Sequence, residues 1–408
     1  MWQAAHRPLF FCAGLCALWS PVVWLWPDLT GSGGGVADPV RWHLHELLFG
    51  MAGAAVGGYL LTALPGWTGA GRVSTHSVRA LTLLWVLARF AWPLAARLPT
   101  GLLLALSLGY FAALALILAR HLIAVRVWRR LWCVAAVGAM ALGDAAVLTD
   151  AAVLTDAAVL TYARGMVTAP AAPLAVVVLF ATLIGIIGGR AVPAFTRSWL
   201  DQSAQGQKMR DSRVLFVAAI AATVFGGGLV LAGLLPVAGV CLLLAGALHG
   251  ARMIGWQTLH ARQYPALLML HLAWLWLPVG LILLGASMRH PDVMPQSAAL
   301  HALTMGAMGT MILAIAGRAA MVRHGGRLLA GRGLGLAFAL VWLAALVRVA
   351  SPFVPQGWPD PVMVSAAMWM SGWAVWLWAF RPALQGAVPW PVLGVRRHDT
   401  IPPPDRQG

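Results

Sequence analysis

Apolar residues run along this chain in long unbroken stretches, separated by short segments rich in arginine, glycine and proline. A stretch of about 20 such residues crosses a bilayer as a helix. The runs do not alternate in the way that membrane β-strands do. Twelve spans are predicted, at 8–27, 42–64, 76–95, 100–120, 131–149, 166–189, 213–235, 237–255, 265–286, 298–317, 333–350 and 361–380. The divisions are least marked around the fifth span and between the seventh and eighth. The expectation is an all-α, polytopic helical membrane protein. Residues 1–380 form a single bundle, with an inner loop at 190–213 between spans six and seven. Residues 381–408 form a basic, proline-containing tail. The first apolar stretch, Leu9 to Trp26, lacks a small-residue cleavage site, so no detachable leader is expected.

Composition agrees. Hydrophobic residues make up 61% of the chain and charged residues 10%, far too little charge for a soluble surface of this size. The formal net charge of +16 raises nucleic acid as a partner, but the basic residues are dispersed among inter-helix segments. With the N-terminus inside, 22 of the 28 Lys and Arg fall on inner segments and 5 on outer ones. This asymmetry sets the orientation: both termini are cytoplasmic, and the start of the second span faces outward.

The chain has a single glutamate, Glu46, in His43-Leu44-His45-Glu46-Leu47-Leu48-Phe49-Gly50. Ionisable groups in membrane segments usually have a function. On a regular helix His43 and Glu46 share a face and His45 diverges. Glu46 is thereby cast as a group that orients His43, or handles protons, beside a cofactor. His45-x4-Gly50-x2-Gly53 is echoed by His301-x4-Gly306-x2-Gly309 on the tenth span. The glycines allow close approach of a backbone or of a flat macrocycle; ordinary helix packing is the plainer reading. His301, Met305 and Met308 fall near one face, a donor set that suits Cu(I), although methionine stripes are commonly core filler. His271, on the inner half of the ninth span, is either a ligand or a hydrogen-bonded core residue. Arg89 and Arg348 lie near outer helix ends, where they would pair with carboxylates or snorkel to the interface. His249, near the inner end of span eight, reads as structural or interfacial. The four cysteines read as small buried apolar residues, with a metal shared by Cys12 and Cys16 as the alternative.

Asp144 to Thr161 is one hexapeptide, Asp-Ala-Ala-Val-Leu-Thr, written three times. A six-residue step turns the three aspartates in different directions on a helix. The repeat reads as an expansion lengthening span five, with a proton path as the alternative.

Three stretches resemble the NnrS family of haem- and copper-containing membrane proteins linked to nitric oxide metabolism. They are His43 to Gly50, continuing to Leu61-Thr62-Ala63-Leu64-Pro65-Gly66-Trp67-Thr68-Gly69; Gly188-Gly189-Arg190-Ala191-Val192-Pro193-Ala194-Phe195-Thr196-Arg197; and His301-Ala302-Leu303-Thr304-Met305-Gly306-Ala307-Met308-Gly309-Thr310-Met311. Leu270-His271-Leu272-Ala273-Trp274 is also similar, and the hexapeptide repeat is a departure. The resemblance implies haem and copper as cofactors and a part in the nitric oxide response, nitrosative-stress protection or denitrification. The small apolar ligand, nitric oxide, would enter from the bilayer. The chain is expected in a bacterial cytoplasmic membrane. Cofactor candidates are His43, His45, His271, His301, Arg89 and Arg348; metal candidates are His43, His45, His301, Met305 and Met308. Haem-copper oxidase subunits are a weaker analogy, and the lack of histidine on spans six and seven argues against their oxygen-reducing centre. A proton-coupled transporter using Glu46, or a metal-holding assembly factor, are the competing readings.

Overall fold

A computed structural model describes residues 1–22, 39–153, 171–201, 209–324, 327–355 and 359–394. Helices dominate them. We label α1 (His6–Trp19), α3 (Thr75–Ala91), α4 (Thr100–Ala124), α5 (Trp132–Val153), α6 (Ala171–Leu200), α7 (Arg213–Leu231), α8 (Leu235–Ile254), α9 (Pro265–Arg289), α11 (Arg332–Ala350) and α12 (Pro361–Phe380). The second long helix, α2, joins three stretches, Pro39–His45, Glu46–Met51 and Ala52–Thr68. The tenth, α10, joins Gln296–His301, Ala302–Gly309 and Thr310–Gly317. The strands among the described residues form a hairpin, β1 (Val322–His324) against β2 (Arg327–Leu329).

Ten of these helices are long and apolar enough to cross a membrane. The remaining two correspond to the first and third expected spans. In α1, 14 helical residues are described, and its expected outer end lies partly outside the described residues; α3 has 17 before the backbone tightens into a 3-10 turn at Trp92–Arg97.

Burial sorts the bundle into layers. The most apolar window of α2 is 78% buried, those of α9 and α10 67%, and that of α6 56%. For α4, α5, α11 and α12 the figure is 33%, and for α7 22%. Helices α2, α6, α9 and α10 therefore form the interior. The outer helices turn apolar side chains such as Leu142, Phe225 and Trp378 outward, as a lipid solvent permits.

Helices α7 and α8, hard to separate in the sequence, are divided by a turn in which Gly233 has φ +74, a conformation suited to glycine. The charged loop read at 190–213 starts later than expected, because α6 continues to Leu200. Pro193 lies inside it and has no N–H for the Gly189 carbonyl one turn back. The Arg252 guanidinium donates to that carbonyl instead, so the helix survives its proline.

The described termini meet at one end of the bundle. Arg7 donates to the carbonyls of Gln385, Gly386 and Ala387, Arg72 to Val388, Arg323 to Pro391 and Val392, and Arg318 to Leu393. Residues 385–393 are thus pinned across the helix ends; residues 395–408 of the expected tail lie outside the described residues.

The two glycine echoes are filled by protein. A Cβ on Gly50 would meet Arg89 Nη1 at 2.7 Å and Cys16 Sγ at 2.8 Å, and one on Gly306 would meet Trp276 Cδ2 at 2.5 Å. Trp276 is buried, so displacing its ring disturbs the packing around it. Gly306→Ala is expected to lower stability by about 1–3 kcal/mol, read from thermal unfolding in detergent; an unchanged midpoint would contradict this packing.

Candidate functional site

Both sequence echoes become the same backbone device. Glu46–Met51 and Ala302–Gly309 are π-helical, each directly after a histidine. A π turn bonds i to i+5 and shifts every residue beyond it relative to an α-helix. The two central helices are therefore offset where their chemistry lies.

Two distinct sites result. The first is a charge cluster in which His45, Glu46 and Asp144 are buried and Arg89 is partly buried. His45 Nδ1 lies 3.3 Å from Glu46 Oε1, and His45 Nε2 lies 2.9 Å from Asp144 Oδ1. Arg89 Nη1 donates to Glu46 Oε1 at 2.8 Å. Trp92 stacks on the imidazole at 4.6 Å between centroids, and the Cys16 thiol donates to the Glu46 carbonyl. With both carboxylates ionised, each only accepts, and His45 then donates from both nitrogens. As an imidazolium it would balance the cluster, two cations against two anions, where an unpaired charge is costly. In that state His45 has no lone pair for a metal. The expectation that Glu46 orients His43 is corrected: the carboxylate turns to its sequence neighbour His45 and to Arg89.

Sequence reasoning missed Asp144. It is the first aspartate of the hexapeptide repeat, wholly buried, with Oδ2 lacking a partner among the described residues. The clue was a carboxylate in an apolar span. Most of the second and third repeat copies lie outside the described residues.

The second site is a cavity of about 300 Å3 near the starts of α2 and α10, lined by His43, His301, Met305, Arg348 and Trp369 among others. It lies at the end of the bundle opposite the pinned termini. His301 Nδ1 is 2.6 Å from the Ser297 carbonyl one turn earlier. A carbonyl only accepts, so Nδ1 carries the hydrogen and Nε2 the lone pair. His43 Nδ1 lies 3.4 Å from the Ser20 carbonyl at the end of α1, which favours the same tautomer. An Nδ1–H held by a carbonyl is how proteins commonly fix a ligating imidazole. Arg348 also donates to Ser351 Oγ.

The remaining candidates lie elsewhere. Met308 faces a separate apolar cavity with Met311, because the π-helical stretch turns it away from Met305. Arg89 belongs to the charge cluster and not to the cavity of Arg348. His271 is saturated. The Thr196 hydroxyl gives its hydrogen to the Val192 carbonyl and so accepts from His271 Nε2, while Thr258 Oγ1 lies 2.9 Å from Nδ1. His249 is fully buried, with neither ring nitrogen partnered among the described residues; it packs edge-on against Trp274. The described residues contain no cluster of three or more His, Cys, Asp or Glu arranged to hold a metal ion. The cavity instead offers two imidazoles, a thioether and a guanidinium. Imidazole suits a haem iron, guanidinium suits a propionate, and thioether with imidazole suits copper; the residues present fit either group.

Among curated proteins, none matches the chain. The family model described as NnrS protein matches residues 1–387. That match covers nearly the whole chain and agrees with the membrane helices described above: this protein belongs to the NnrS family.

Proposed function

We propose that the chain is a haem- and copper-binding protein of a bacterial cytoplasmic membrane, acting in nitric oxide metabolism as a response or protection factor. The observation that carries this reading is the His301 imidazole. Its Nδ1–H is bound by a backbone carbonyl, and it shares a cavity with His43, Met305 and Arg348. His301 and His43 would hold the metal, Met305 would add a soft donor for copper, and Arg348 would take a haem propionate. Bound there, the metal would supply a coordination position for a small apolar ligand such as nitric oxide. The chain's own part is to fix the imidazole tautomers and to surround the metal with apolar walls. The charge-balanced pairing of Glu46 with Arg89 and His45 supports a fixed supporting role, and counts against a coupling carboxylate of a transporter.

The test is metal analysis with a visible spectrum on purified protein. His301→Ala is expected to lose more than the 10- to 100-fold in metal affinity that a supporting hydrogen bond is worth, with His43→Ala in the same direction. His271→Gln is expected to leave the spectrum unchanged. Full metal content in both cavity variants would refute the assignment.

A further inference from the structure

The largest cavity described, about 560 Å3, lies at the other end of the bundle, beside the pinned C-terminal segment. Its walls come from α2, α6, the start of α9, α10 and residues 390–394. Six of its nineteen lining residues are aromatic, among them Tyr59, Trp67, Trp199 and Trp390, and two guanidinium groups, Arg318 and Arg327, line it.

Arg318 is the unusual member. It is 3% exposed and its cation lies 3.9 Å from the Phe195 ring centroid. Its Nε donates to the Leu393 carbonyl at 2.6 Å. Its Nη1 is buried with no partner among the described residues. The ion pairs of the described residues include no carboxylate on Arg318, and the groups that act on it electrostatically are Tyr264 and a second cation, Arg323. A buried cation with an open N–H and a cationic neighbour is costly unless an anion meets it.

A second cavity adjoins this one. Tyr59 and Ile315 line both, and the second is narrow, about 70 Å3. That slot has apolar walls between α2, α6 and α10, and it passes Phe180 and Ile187 to reach Met308 and Met311. Its small volume admits a few methylene groups of one apolar chain. An anionic group at the helix ends, joined to an apolar chain running to membrane depth, describes a lipid. Basic pockets between helices at the inner leaflet are where anionic headgroups bind, and this is the end at which arginines gather. The aromatic rim matches the interfacial belt.

We propose that this cavity is a binding site for an anionic phospholipid. The phosphate oxygens pair with the guanidinium groups of Arg318 and Arg327 that line the cavity, and one acyl chain enters the slot beneath Tyr59. The chain end then packs on Met308 and Met311, on the helix that carries His301. The site does not depend on the metal reading, which concerns the opposite end.

Native mass spectrometry and thermal unfolding in nanodiscs test it. Phosphatidylglycerol is expected to be retained on release from the nanodisc and to raise the unfolding midpoint relative to phosphatidylcholine. Inorganic phosphate added to phosphatidylcholine discs is expected to do neither. Arg318→Gln should weaken retention about tenfold or more, the worth of a charge-assisted hydrogen bond. Ala194→Trp keeps the arginine but fills the cavity, and should abolish retention even if Arg318→Gln does not fold. Equal retention of both lipids, stabilisation by free phosphate alone, or retention undiminished in Ala194→Trp would overturn the proposal.

Discussion

Replacing His45 with leucine is expected to cost the fold about 3–5 kcal/mol, the usual consequence of breaking a buried ion pair from one side. The charge count decides the size. Without the imidazolium, Glu46 and Asp144 face Arg89 alone, and a buried carboxylate is left unpaired or forced to take up a proton. Asp144→Leu should be much milder, because Glu46 and Arg89 still balance and His45 can lose its proton. The double variant, His45→Leu with Asp144→Leu, should recover most of the loss, so the two changes are expected to be strongly non-additive. Denaturation of the three variants in one detergent provides the measurement. If Asp144→Leu proves as damaging as His45→Leu, the cluster does not hold its charges in this way.

Arg252→Met is expected to be of comparable size, about 3–5 kcal/mol. Arg252 Nε lies 2.7 Å from Asp211 Oδ1, and Nη2 bonds Asp211 Oδ2 as well as the Gly189 carbonyl. Methionine preserves much of the apolar stem and removes all three bonds. It also strips the carbonyl that Pro193 cannot reach, so α6 should weaken near Gly189. Asp211→Asn, which leaves that carbonyl covered, should cost clearly less. Hydrogen exchange in α6 locates the effect, and protection retained across residues 185–196 in Arg252→Met would be the contrary result.

How far the fold could be read from the chain depends on what kind of information each feature needs. Spans follow from local apolar runs, and their centres match the helices closely. The extension of α6 was hidden, because a Gly-Gly pair followed by proline normally ends a helix; the arginine that rescues it lies 63 residues away. Topology alone puts His43 and His301 at the same side of the membrane, and they do line one cavity. Side-chain direction beyond that point was not legible. A helical wheel assumes a constant turn, and both motifs break that assumption where it mattered most, at Glu46 and at Met308. Asp144 was passed over because its repeat suggested expansion. Its contact with His45 joins positions 99 apart, which spacing rules do not reach. His271 was left between ligand and core residue; only the Thr196 and Thr258 hydroxyls place it with the core.

The π-helical stretches also carry a lesson about length. Each holds more residues per turn than the α-helix around it, so α2 and α10 are spliced rods whose two segments are phased independently. Losing one residue from Glu46–Met51 would leave Ala52–Thr68 seated as before, but would swing the preceding turn by about 100°. His43 would leave the cavity and His45 its carboxylates in a single event. Substitution explores these two centres one side chain at a time; insertion or deletion re-aims them together.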